Sequence, residues 1–105
     1  MSEDKKFVEM TEYELNTVIA DYREKMRKAE AMGILNEYEV YKRKALIAEA
    51  YLVDTSKIET GKVYGLIGET RSYFKVERIN GVFAWGFRLK GSKIEEGIPV
   101  SLLQL

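Results

Sequence analysis

The sequence predicts an α+β fold, an N-terminal antiparallel α-hairpin followed by a small β-barrel. Three observations predict it. Apolar residues recur at helical spacing through the first half of the chain. The pattern changes to short alternating strands after Gly61. Asn80-Gly81 then stands between two apolar runs, the strongest short signal for a β-hairpin.

Residues 1–10 read as a flexible, charged lead-in. Thr11 with Glu14 three residues on forms a capping box, and Met10 and Leu15 occupy the two hydrophobic-staple positions around it. Leu15, Val18, Ile19, Tyr22, Met26 and Ala29 form one apolar stripe, and Gly33 suits a left-handed C-terminal cap. The first helix is therefore expected over 12–32. Asn36 and Glu39 suggest a second capping box. Tyr38, Tyr41, Ala45, Ala48 and Leu52 recur as a helical seam that ends near Val53. A connection this short makes the two helices antiparallel neighbours, so 11–53 is one helical hairpin.

Residues 54–61 are turn formers and read as a linker. The barrel occupies 62–105. Its strands are expected at 62–67, 72–79, 82–89 and 98–103, with turns at 68–70, 90–93 and 95–97. Pro99 belongs at an edge or at a strand start. A type I′ turn centred on Asn80-Gly81 pairs Val76 with Trp85 and Phe74 with Phe87. One face then carries Phe74, Val76, Phe83, Trp85, Phe87 and Leu89 and forms the core, with Arg78 at its turn end. The other carries Lys75, Glu77, Ala84, Gly86 and Arg88. A core Trp85 would cost roughly 3–5 kcal/mol to truncate.

Composition excludes more than it suggests. Lys+Arg and Asp+Glu both number 17, so no overall field draws the chain to nucleic acid or anionic lipid. There is no His and no Cys. The usual Ser-His-Asp and Cys-His machinery is therefore ruled out, and no zinc or iron-sulfur site is expected. No cofactor and no catalytic residue is expected. An enzyme would need a pocket holding paired carboxylates or a shifted Lys, so the chain reads as non-enzymatic. It shows no secretory h-region and no apolar run long enough for a membrane span, which points to the cytoplasm.

Two surfaces are candidate sites for a protein, DNA or RNA partner. Arg23, Arg27, Lys28, Lys42, Arg43 and Lys44 fall at one level of the hairpin as a basic belt. Asp21-Lys25, Glu24-Lys28 and Glu39-Arg43 stand at ion-pair spacing within it and favour a solvated surface. From Gly61 onward seven basic residues face four acidic ones, a balance of +3. There Tyr73, Lys75 and Arg88 share the outer barrel face, a pattern suited to single-stranded nucleic acid. The glycines of 61–68 lack phosphate-loop spacing. Seven Tyr leave an aromatic peptide groove open. A homodimer is a further expectation from the small barrel.

Several segments taken together resemble the YfhH-like family of small uncharacterised bacterial proteins. They are Met10-Thr-Glu-Tyr-Glu-Leu-Asn16, Arg27-Lys-Ala-Glu30, Gly33-Ile-Leu-Asn-Glu37, Ala50-Tyr-Leu52, Asn80-Gly-Val-Phe-Ala-Trp-Gly86 and Ile98-Pro-Val-Ser-Leu-Leu-Gln104. The resemblance implies an α-hairpin joined to an SH3-like β-barrel. It also implies a regulatory or adaptor role, since family members carry the label of transcriptional regulators. It supplies no catalytic residues.

Overall fold

The structure, a computed structural model, describes residues 5–91 and 93–105. The chain divides into two compact units, Met1–Leu52 and Val53–Leu105. Residues 1–4 of the expected lead-in lie outside the described residues, as does Ser92 of the expected turn at 90–93.

In the first unit the lead-in contains a 3₁₀ turn, Phe7–Glu9. Helix α1, Glu12–Ala31, begins at the capping box that the sequence predicts. The Thr11 hydroxyl accepts from the Glu14 N–H at 3.1 Å, and the Glu14 carboxylate accepts from the Thr11 N–H at 2.9 Å. The Lys5 ammonium donates to both Glu14 oxygens at 2.8 Å. Thr11→Ala is expected to cost about 1 kcal/mol, read as a lower midpoint in a urea melt followed at 222 nm.

The Lys5 hydrogen bond, helped by the Thr11 N–H, holds the Glu14 pKa below the ordinary glutamate value. A carboxyl depressed in the folded state contributes stability above its unfolded pKa of about 4.3, and this is lost as pH falls through the folded value. Wild type should therefore melt above Glu14→Gln at neutral pH. The gap should close as pH drops below about 4; a gap independent of pH would contradict this account.

α1 ends as predicted. Gly33, at φ +73°, donates to Glu30 at 3.1 Å, and the Ile34 N–H reaches the Ala29 carbonyl at 2.9 Å. These are the two bonds of a Schellman cap. Helix α2, Leu35–Ala50, follows at once, with Ile34 in the N-cap position and no side-chain cap. The expected Asn36/Glu39 box does not form, because the glycine turn releases the chain straight into a helix that already contains Asn36. Leu15, Ile19 and Ala29 of α1 and Ala45 and Ala48 of α2 are buried along the predicted stripes. Tyr22 meets Tyr41 at 6.2 Å between ring centroids, and Phe7 meets Tyr51 edge-on at 5.8 Å. Leu52, placed by the sequence on the seam, lies beyond the helix end and is exposed.

The second unit opens with a 3₁₀ turn, Thr55–Lys57, capped by the Asp54 carboxylate on the Ser56 N–H at 3.1 Å. Strands β1 (Val63–Leu66), β2 (Glu69–Asn80), β3 (Phe83–Arg88) and β4 (Glu96–Pro99) form one antiparallel sheet in sequential order. A last 3₁₀ turn, Val100–Leu102, returns the chain to β1. There Leu103 bridges Leu66, the Gln104 N–H reaches the Gly65 carbonyl at 2.9 Å and the Ile67 N–H reaches Leu102 at 2.8 Å. The sheet thereby closes into a small barrel, which with the preceding helical hairpin makes an α+β fold. Its core is Tyr64, Leu66, Phe74, Val76, Ala84, Ile98, Val100 and Leu103. Pro99 stands last on edge strand β4, where its missing N–H costs no ladder bond.

The hairpin is present, but its register differs from the expected one. Asn80 pairs with Phe83, so the two-residue loop is Gly81-Val82. Gly81 has φ +62°, whereas Asn80 and Val82 are not in the left-handed region. A single leading glycine is the requirement of a type II′ turn, not of type I′. Next to the turn this moves the pairing by two residues, so that Trp85 meets Arg78 in place of Val76, and an even offset leaves the faces unchanged. A bulge between Val76 and Arg78 then removes one residue of the offset, and beyond it the faces are exchanged. Phe74 and Val76 therefore point inward as expected. On β3, however, Ala84 and Gly86 are buried, Phe83, Trp85 and Phe87 are only half-buried, and Leu89 is exposed. A barrel this small already holds Phe74, Tyr64 and Leu66. Three more aromatic rings would overfill it, so the small residues of β3 go inside.

Candidate functional site

The corrected register builds an aromatic face on the outside of β2–β4. Phe83, Trp85 and Phe87 alternate along β3 and share its outer side. Beside them on β2 stand Arg78, paired with Trp85, and Lys75, paired with Phe87. Tyr73 continues the same side of β2 and is 49% exposed.

The Trp85 ring is held from two directions. The Arg78 guanidinium lies 4.9 Å from its centroid. On the β4 side, a Cβ added to Gly97 would come within 2.6 Å of the indole, so the bare glycine provides the ring's seat. Arg78 also reaches Glu95 at 3.3 Å, and Lys75 stands 4.0 Å from Glu77. Both cations remain about half exposed. Guanidinium on indole is a cation–π contact, which fixes the ring in one orientation.

Arg88 leaves the expected outer group. It shares the inward side of β3 with Gly86 and sits at the rim of the core, not beside Tyr73. Its Nε donates to Glu96 at 3.0 Å and its Nη1 to Glu69 at 3.0 Å. Partial burial opposes its charge, but the hydrogen bonds and charges of Glu96 and Glu69 outweigh that and raise its pKa. With two carboxylates on one guanidinium, Arg88 closes the barrel rim and has little charge left for phosphate.

The belt cations are distributed among several partners. Arg23 pairs with Glu49 of α2 at 3.0 Å, and Arg27 with Glu24. Lys25 pairs with Asp21 at 3.1 Å, which raises its pKa. Glu24 thus takes Arg27 where the sequence suggests Lys28, and Glu39 and Arg43 do not reach ion-pair distance. Lys28, Lys42, Arg43 and Lys44 are exposed. Lys25 and Lys44 place their ammonium groups 5.5 and 5.7 Å from the Tyr41 ring. The tyrosines are mostly half-buried along the helices, so the belt is a broken ring of charge around an aromatic seam.

Of the sequence-predicted residues, the structure brings Tyr73 and Lys75 into one face, separates Arg88 from them, and leaves the six helical cations in the other unit. It adds Arg78, Phe83, Trp85 and Phe87, which sequence reasoning had assigned to the core. The available signal was Ala84 and Gly86: two small residues alternating with three rings allow either face of β3 to be the inner one. Among the described residues no group of three or more metal-ligating side chains occurs, and no helix is long and apolar enough to cross a membrane.

A family model described as a protein of unknown function (DUF1811) matches residues 5–104. The chain is also 44% identical over 101 residues to the uncharacterized protein YfhH of Bacillus subtilis (strain 168), covering 96% of each chain.

Proposed function

The chain belongs to the DUF1811 family of proteins of unknown function, and we propose that it is a non-enzymatic regulatory module that holds a partner on the outer aromatic face of its sheet. The role is of the transcriptional kind that the YfhH-like resemblance implies. The observation that supports the reading is the Phe83-Trp85-Phe87 stripe, half-buried and flanked by Arg78 and Lys75. Aromatic side chains with adjacent cations are the residues that dominate binding surfaces. A ring seated on a glycine and braced by a guanidinium loses little freedom when a partner lands on it.

The test is photo-crosslinking in lysate of the parent cell. Tyr73, on the face, and Tyr13, an 81% exposed residue of α1, are each replaced with p-benzoylphenylalanine. Adducts are expected at position 73 and not at 13. Equal yields at both positions, or none at 73, would refute the reading.

A further inference from the structure

Resting on that reading, we propose that the partner held on this face is single-stranded nucleic acid, with its bases on Phe83, Trp85 and Phe87 and its phosphates toward Lys75 and Arg78. Spacing argues for it first. Alternate residues of a strand stand about 6.8 Å apart, roughly twice the 3.4 Å rise of a stacked nucleic-acid strand. The stripe therefore suits unstacked bases of a single strand. A duplex hides its base faces and offers only edges in its grooves.

Charge argues for it next. Protein interfaces deplete lysine from their centres, yet Lys75 is the register partner of Phe87 within this face. At the end of β3 a recess of about 520 Å³ is lined by Phe87, Arg88, Leu89, Lys90, Gly91 and Lys93. Lys90 and Lys93 have no carboxylate within ion-pair distance among the described residues. Cations beside stacking rings, with a surplus of positive charge across the unit, complement a phosphate backbone.

The sole Trp reports directly on the face. The full chain is titrated at low salt with an oligothymidylate and an oligouridylate of about 12 nucleotides, a length within the site sizes of small single-strand-binding barrels, and with a duplex of equal length. Quenching of Trp85 is expected with the single strands and not with the duplex. Affinity should fall linearly on logarithmic axes as salt rises. Phe83→Ala should weaken binding about tenfold or more. Lys75→Glu and Lys90→Glu, at exposed positions that leave the melt unchanged, should each lower the salt slope by about one. These two variants decide the matter if Phe83→Ala fails to fold.

No quenching at low salt, equal binding of the duplex, or wild-type affinity in both lysine variants would overturn the assignment. Position-73 adducts that resist nuclease but yield to protease would overturn nucleic acid and keep the docking face. If adducts are absent as well, both fail. Concentration-dependent dimerisation in light scattering, abolished by Phe83→Ala, would assign the face to a second copy and also overturn the proposal.

Discussion

Gly86→Ala is expected to unfold the barrel unit. A Cβ built on Gly86 would lie 1.9 Å from the Lys75 carbonyl oxygen and 3.1 Å from the Glu77 nitrogen. Both obstacles are backbone, at the point where the β2 bulge draws the strands together. No rotamer change relieves such an overlap, so the strand itself must move, and a move here breaks the ladder that carries Phe74 and Val76. A loss above about 4 kcal/mol is expected. That is a large share of what a unit this small possesses. Gly81→Ala is the control. Unlike Gly86 it carries a positive φ, +62°, but nothing lies within 4 Å of a Cβ built there. It should cost only the left-handed strain of about 1–2 kcal/mol. Near-UV circular dichroism of the single Trp, with a urea melt, separates the two. A Gly86→Ala protein within about 1 kcal/mol of wild type would mean that the register is wrong.

Phe74→Ala should be the costliest of the side-chain truncations in the barrel, at about 3–5 kcal/mol. Phe74 has no exposed surface, faces Tyr64 across β1 and stands between Tyr64 and Arg88 in the ladder. Its removal leaves a cavity among residues fixed by the closed sheet. Trp85→Ala should cost less, although the ring is larger, because Trp85 keeps part of its surface in solvent and leans on Arg78 and Gly97 instead of the core. The order of the two losses is the decisive reading. The register centred on Asn80-Gly81 predicts comparable costs, or a greater one for Trp85. The observed pairing predicts the opposite, and equilibrium denaturation of the two variants distinguishes them.

Local chemistry was legible in the sequence wherever a residue's role depends on its close neighbours in the chain. Thr11 and Glu14 read each other across one helical turn, and the capping box stands at the predicted residues. Gly33 ends α1 because only its own φ matters there. The two apolar stripes follow from helical spacing, and the change to alternation after Gly61 announces the strands. The Asn36/Glu39 box was read by the same rule and fails, because Gly33 starts the helix two residues too early for it.

The sequence by itself thus determined an α-hairpin, a following antiparallel sheet and a turn near residue 81. Only the tertiary structure decided which side of β3 is the inside. Alternation is symmetric: Phe83, Trp85 and Phe87 or Ala84 and Gly86 satisfy it equally well. The choice rests on how much volume Phe74, Tyr64 and Leu66 have already taken within a barrel closed by Leu103 on Leu66. It rests also on a bulge that removes one residue of offset. Neither quantity is local to β3. The same choice turned Arg88 toward Glu69 and Glu96, and placed Trp85 on the surface proposed to bind.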